Sequence, residues 1–238
     1  MQLQSVRIIL VGTTHPGNIG STARAMKTMG LQKLYLVAPK SFPDKQAYDL
    51  SAGAYDILDN AIVVDNLKEA LDSCQLVFAM SARPRHLSLP GFTPSECATF
   101  LTTLEDETQV AFLFGREHAG LTNEELLHSH YHVQIPSNPA FSSLNLAQSV
   151  QVMAYEIRTK LLTSSAIVTM QQEELASSAE IERFYVHLAQ VLKAIGFLKK
   201  DPGRVEQRLR RLFNRVKLEL TEVKMLRGML TRIERLLK

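Results

Sequence analysis

Short apolar runs alternating with helical patterns constrain this chain more than any other feature. Val6–Val11 (VRIILV), Leu34–Val37, Ala61–Val64, Leu76–Met80 (LVFAM), Val110–Phe114 (VAFLF) and His132–Ile135 read as strands. Several are continuously apolar, the pattern of strands covered on both faces. Between them Ser21–Met29, Lys45–Ala54, Leu67–Ser73, Pro94–Leu104 and Asn123–Ser129 read as helices, with a longer helix expected over Leu144–Leu162. This alternation predicts an α/β fold on a mostly parallel sheet. Ligands of such sheets sit at the carboxyl ends of strands. The loops opened by Gly12, Ser81 and Gly115 are therefore the places to look.

The pattern changes after residue 163. Residues 164–179 are mostly small and polar and are expected to form a linker. Ile181–Phe197 has helical apolar spacing. Asp201-Pro202 suits an N-cap and first helical position. Arg204–Arg215 is basic and amphipathic, and Thr221–Leu237 reads as another helix. The expected organisation is a body over 1–163 and a small all-helical extension of about three helices over 180–238.

Charge follows the same division. Residues 1–165 hold 12 Lys and Arg against 15 Asp and Glu, whereas residues 166–238 hold 15 against 9. A basic tail on a mildly acidic body suits a polyanionic partner, although a solvated helical face explains the charge alone equally well. The tail cluster is Lys199, Lys200, Arg204, Arg208, Arg210, Arg211 and Arg215. At 45% hydrophobic and 21% charged residues the chain can bury a core. Its two cysteines, Cys74 and Cys97, exclude a disulfide framework and a cysteine zinc site. The apolar run before Gly12 is too short for a signal segment or a span, and a cytoplasmic protein is expected.

The first loop is informative by what it is not. Gly12-Thr-Thr-His-Pro-Gly17-Asn18-Ile19-Gly20 could hold phosphate at a helix entry. It lacks the Lys-Ser/Thr of a Walker loop and the spacing of a dinucleotide fingerprint. What remains is Asn18 and, further on, Arg24; the plain reading has Asn18 capping the helix and Arg24 pairing with a surface acid. Two later loops are richer. Phe112-Leu-Phe-Gly115-Arg116-Glu117-His118-Ala-Gly120-Leu121 leaves one strand through glycines that suggest close backbone approach. Ile135-Pro136-Ser137-Asn138-Pro139-Ala-Phe141-Ser142-Ser143-Leu144-Asn145 leaves the next and crowds Ser and Asn at a helix entry. His128, His130 and His132 alternate and would share a face on a strand, but fit a helix end and strand entry better than a metal site.

In this order the segments resemble the SPOUT methyltransferases, in their TrmH-like branch. The motif N-x-G-x-x-x-R is met by Asn18, Gly20 and Arg24. F-G-x-E-x-x-G-L is met by Phe114, Gly115, Glu117, Gly120 and Leu121. I-P-x(n)-S-L-N-x-x-x-[SA] is met by Ile135, Pro136, Ser143, Leu144, Asn145 and Ser149. The resemblance spans roughly residues 5–162 and implies a C-terminal trefoil knot, S-adenosylmethionine as cofactor and a homodimer. Its cofactor loops correspond to Met80, Ser81, Ala82, Gly115, Ile135, Ser142, Ser143 and Leu144. Within the branch, GNIGSTARAMKTMG and NPAFSSLNLAQSVQVMAYE look most like enzymes that methylate the ribose of cytidine or uridine 32 in tRNA.

Methyl transfer from a sulfonium is an in-line displacement needing alignment and loss of the hydroxyl proton, and no metal is expected. The resemblance assigns catalysis to Arg24, with Asn18, Ser143, Asn145 and Glu117 around it. Arginine stays protonated, so Arg24 fits a phosphate clamp and alkoxide stabiliser better than a literal base. Asn18 is expected to hold Arg24 or the ribose, and Glu117 to receive hydrogen bonds that fix its loop. Arg83 and Arg85 after the fourth strand are candidate RNA contacts beside the tail cluster. A ribosomal-RNA target and a non-catalytic RNA-binding module are the competing readings. A nucleotide-dependent oxidoreductase is disfavoured by the glycine spacing.

Overall fold

A computed structural model describes residues 1–81, 89–163, 174–198 and 202–237. Its centre is a seven-stranded sheet of β1 (Val6–Val11), β2 (Lys33–Val37), β3 (Ile62–Val64), β4 (Leu76–Met80), β5 (Gly91–Phe92), β6 (Val110–Phe114) and β7 (Tyr131–Val133). The order is β3-β2-β1-β6-β4-β7-β5, and every pairing is parallel. Three central strands, β1, β4 and β6, are buried along their whole length. That is why their sequences are continuously apolar, and why three of the expected strands match residue for residue.

Helices cover both faces. On one side α1 (Pro16–Met29), α2 (Lys45–Ser51), α5 (Pro94–Leu101) and α7 (Leu146–Thr163) close a core around Phe78, Phe112 and Met153. On the other, α4 (Leu67–Leu71) and α6 (Asn123–Leu126) close a smaller one around Val77, Leu113 and Leu126. His130 ties β7 in place: its Nδ1 accepts the Val77 amide at 3.0 Å and its own amide donates to Val77 O at 2.9 Å. Complete burial lowers this imidazole to about 4, so it is held neutral.

Several boundaries differ from the sequence expectation. Helix α1 begins at Pro16, not Ser21, with His15 as N-cap. Proline at the first helical position starts the helix, and Asn18 and Gly20 therefore lie inside it; Asn18 is not the cap. The helix expected over Lys45–Ala54 stops at Ser51, because Ala52 (φ 48°) and Gly53 (φ 90°) turn left-handed, and α3 (Tyr55–Asp59) follows. The last strand ends at Val133, since Ile135 has already left the sheet for the cleft described below. Strand β5 is two residues long and has no alternation to read.

The extension forms α8 (Ser178–Ala194), α9 (Pro202–Arg215) and α10 (Leu220–Leu236) around its own core of Ile181, Phe184, Leu218 and Val223. The described end of the expected linker is bonded rather than loose. Ala176 N donates to Leu218 O at 2.9 Å, Leu220 N donates to Glu174 O at 2.8 Å, and Ser178 N donates to Cys74 O. Asn214 of α9 donates to Leu127 O at 2.6 Å, and Lys217 stands 3.8 Å over the Phe100 ring. Arg210, expected on RNA, is instead half-buried in an ion pair with Glu182 and lies 4.5 Å over Tyr185.

Gly20 explains why the first motif carries a glycine in mid-helix. A Cβ there would lie 1.9 Å from the Ala47 carbonyl oxygen of α2. Alanine would gain about 1 kcal/mol of helix propensity, but overpacking against backbone costs about 1–3 kcal/mol or more. Gly20→Ala is therefore expected to lower stability, read as a lower urea midpoint at unchanged m-value.

Candidate active site

The loops after β4, β6 and β7 meet at the carboxyl ends of three adjacent strands and bound a cleft of about 990 Å³, open mouth included. Met80, Phe114, Val133, Ile135, Leu144 and Leu146 supply apolar wall; Ser81, Ser142, Ser143 and Ser149 supply hydroxyls; Gly115 to Gly120 forms one rim. Every expected cofactor residue lines it except Ala82, which falls outside the described residues together with Arg83, Arg85, Lys199 and Lys200.

The second motif is a closed turn. Arg116 N donates to Gly120 O at 3.2 Å and Gly120 N donates back to Arg116 O at 2.8 Å. Gly120 has φ 68°, and a Cβ on Gly115 would lie 2.1 Å from the Gly120 carbonyl carbon. Only glycine fits at both ends, which accounts for the spacing. Arg116 is engaged by Glu125 at 3.0 and 3.1 Å, and Glu125 also completes the Thr122 capping box that starts α6.

This turn presents Glu117 to the first loop. Its Oε2 accepts Thr14 N at 3.1 Å and Thr14 Oγ1 at 2.8 Å; its Oε1 accepts His15 N at 3.2 Å and Asn18 Nδ2 at 2.8 Å. Asn145 extends the chain, its Nδ2 donating to Asn18 Oδ1 at 2.9 Å while its Oδ1 accepts Ala147 N at the first turn of α7. One carboxylate and two amides thus join all three motif loops. Partial burial works against the charge on Glu117, but the Asn18 amide and the backbone and hydroxyl donors outweigh it and hold the carboxyl at about 2.

Asn18, Glu117 and Asn145 are therefore brought together, with Ser143 in the adjoining cleft wall. Arg24 is not joined to them. It is exposed and, among the described residues, makes no hydrogen bond or ion pair, neither to Asn18 nor to a surface acid. Six residues on a helix turn it about 240° from Asn18, whose side chain is committed to Glu117 and Asn145. Sequence reasoning missed Thr14, His15 and His118. The first two sit in the loop discarded as a phosphate loop, and His118 occupies a free position of the second motif. His118 lines the cleft, and its ring meets His15 edge to face with centroids 6.2 Å apart at 77°.

The cleft suits the nucleoside cofactor implied by the motifs. Its aliphatic walls can hold a flat base, and its serine hydroxyls and glycine-rich rim can hydrogen-bond a ligand's polar edge. Among the described residues no group of three or more His, Cys, Asp or Glu gathers to hold a metal, and no helix is long and apolar enough to cross a membrane. His128, His130 and His132 stand at a helix end and strand entry, each with separate surroundings.

The geometry is that of a nucleoside-cofactor site on a parallel sheet, and comparison with known proteins gives it a family. Residues 5–155 match the SpoU rRNA Methylase family, and residues 179–238 match the tRNA methyltransferase TrmJ, C-terminal domain. The chain belongs to the SpoU methylase family, as its motifs indicated. It is 54% identical over 98% of its length, and 92% of the relative's, to the tRNA (cytidine/uridine-2′-O-)-methyltransferase TrmJ of Sodalis glossinidius. Among solved structures, TrmJ from Z. mobilis ZM4 matches with TM-score 0.85 and 34% identity, covering 96% of this chain and 98% of that one. A probable methylase family protein from Haemophilus influenzae Rd KW20 matches with TM-score 0.67 and 45% identity, covering 98% and 97%.

The Glu117 network makes a pH prediction. A folded-state carboxyl held at about 2, below its ordinary 4.5, contributes stability above 4.5 that is lost as pH falls toward 2. Glu117→Gln is expected to flatten that part of the acid-unfolding curve and to raise exchange of the Thr14 and His15 amides, read by hydrogen exchange.

Proposed function

We propose that the chain is an S-adenosylmethionine-dependent tRNA (cytidine/uridine-2′-O)-methyltransferase acting at nucleotide 32 of the anticodon loop, as a cytoplasmic homodimer. The observation carrying this reading is that the second and third motif loops line one cleft, with the first motif bonded to both through Glu117, Asn18 and Asn145. Whole-length likeness to enzymes named for tRNA favours that RNA over the ribosomal RNA in the family's name. The same reading carries the C-terminal trefoil knot, and a division into a catalytic body over 1–163, a linker over 164–179 and an RNA-binding extension over 180–238.

When bound, S-adenosylmethionine supplies a methyl already activated on a sulfonium. The chain's own residues then align and exclude water. Ile135, Leu144 and Met80 would hold the adenosine, and the closed turn from Gly115 to Gly120 would offer it backbone groups. Glu117 fixes the first loop against that turn, so donor and acceptor sites move as one body. Such alignment is worth on the order of 7–11 kcal/mol in favourable cases. Arg24 clamps the phosphate next to the target ribose and stabilises the developing alkoxide, a role suited to an exposed cation without a protein partner among the described residues. Ser143 orients the substrate ribose, across the subunit interface of the dimer.

Incubation with labelled cofactor and total tRNA, then mapping of 2′-O-methyl nucleotides, is expected to place the label at position 32; unlabelled tRNA would overturn the reading. Arg24→Ala is expected to lower turnover by about 10²–10³-fold, the cost of removing one transition-state donor, with cofactor affinity unchanged. Near-normal turnover would remove Arg24 from the mechanism.

Helix geometry sorts the arginines of the tail. Arg204, Arg208, Arg211 and Arg215 recur at i, i+4, i+7 and i+11 and share one face of α9, whereas Arg210 turns inward to Glu182. Replacing Arg204, Arg208 and Arg215 together by Gln is expected to weaken tRNA binding. The slope of log affinity against log salt should become shallower by roughly 0.7–0.9 for each phosphate no longer neutralised. An unchanged slope in filter binding would show that α9 is no clamp.

A further inference from the structure

Methyl transfer to a ribose releases a proton. As the hydroxyl oxygen forms its bond to carbon, the carbon–sulfur bond breaks and its electron pair stays on sulfur. The hydroxyl proton must pass to an acceptor, and the residues already assigned are poor ones. Arg24 is a guanidinium, which has no basic lone pair at neutral pH. Glu117 is held at about 2, and its oxygens already accept from Thr14, His15 and Asn18. Asn18 and Asn145 are amides.

Two imidazoles remain, one from each loop that Glu117 joins. His118 lines the cleft beside Glu117 and is exposed to it. His15 caps α1, is likewise exposed, and is anchored by its amide on Glu117 Oε1 at 3.2 Å. Their rings meet edge to face. Charged groups on the same loops are Glu117 and the Arg116–Glu125 pair, and the backbone amide of Lys40 donates to Thr13 O in the first loop. Among the described residues neither ring makes a hydrogen bond or ion pair, and imidazole is the side chain that exchanges a proton near neutral pH.

Resting on the ribose-methylation reading above, we propose that His118 is the catalytic acceptor of the 2′-hydroxyl proton and that His15 is a positioning residue that orients its ring. The acceptor is then a free-position residue of the second motif, in the same cleft as the third-motif serines. Arg24 keeps the electrostatic part of the work and His118 takes the proton.

The test is a single-turnover pH profile on the full chain with saturating cofactor and tRNA. It is run for the unaltered protein, His118→Gln and His15→Gln, with cofactor and tRNA affinities measured in parallel. The unaltered rate is expected to rise with pH through the imidazole range, between about pH 5 and 8, and then to level. His118→Gln is expected to fall by about 10²–10⁴-fold and lose that inflection, with both affinities within about threefold of the unaltered protein. His15→Gln is expected to keep the inflection at a reduced rate. The His118 ring resonances should also move on adding tRNA. A His118→Gln enzyme that keeps the inflection, whether fast or slow, overturns the assignment, as do ring resonances unmoved by tRNA. An unaltered protein that methylates no tRNA removes the ribose reading itself and this assignment with it.

Discussion

The carboxylate of Glu117 is the interaction on which the site depends. Three loops leave three different strands, and the sheet ladder fixes where they start but not how they meet. Glu117 gathers four donors from the first loop, and the Asn18–Asn145 bond carries the tie on to α7. Hydrogen bonds to an ionised acceptor are worth more than neutral ones, about 1.5–3 kcal/mol against 0.5–1.5. A carboxylate whose oxygens are all engaged cannot be replaced by an isosteric amide without losing acceptor capacity. What this arrangement fixes is the geometry of the three motifs relative to one another.

That separation bears on what was legible in the sequence. Strands β1, β4 and β6 were readable because burial on both faces leaves an uninterrupted apolar run. The start of α1 was not, because Pro16, Gly17, Asn18 and Gly20 are turn-forming residues by propensity. Only the contact of Gly20 with α2 reveals that the glycine serves helix packing. Asn18, Glu117 and Asn145 were legible as motif positions, and Glu117 as an acceptor of hydrogen bonds, but the partners of each were not. A motif names residue types at a spacing without saying which of them touch. Asn18 was expected to hold Arg24 or the ribose and holds Glu117 instead. Thr14 and His15 left no signal, since two of the four bonds to Glu117 come from backbone amides, which any sequence supplies.

The extension shows the same limit in electrostatic form. Counting charge identifies a basic tail but cannot sort its arginines. The fold sorts them by helix phase: one face of α9 carries Arg204, Arg208, Arg211 and Arg215, and Arg210 falls on the opposite side toward α8. Burial opposes the charge on Glu182, yet its bonds to Arg210, with His128 and Lys68 nearby, keep the carboxyl below its ordinary range. Breaking a buried pair by removing one partner costs about 3–5 kcal/mol, because the other charge is stranded.

Consequently the position of the outward arginine face depends on the inward residues of the same helix. Arg210 and Asn214 fasten α9 to Glu182 and to the Leu127 carbonyl at the end of α6. Helix α6 begins at the Thr122 capping box, whose Glu125 also holds Arg116 in the turn that presents Glu117. A continuous path of charged and capped contacts thus runs from the outward arginine face, through α6, to the carboxylate that assembles the cleft. That face is therefore fastened to the sheet's own helices and is not carried on an independent tether.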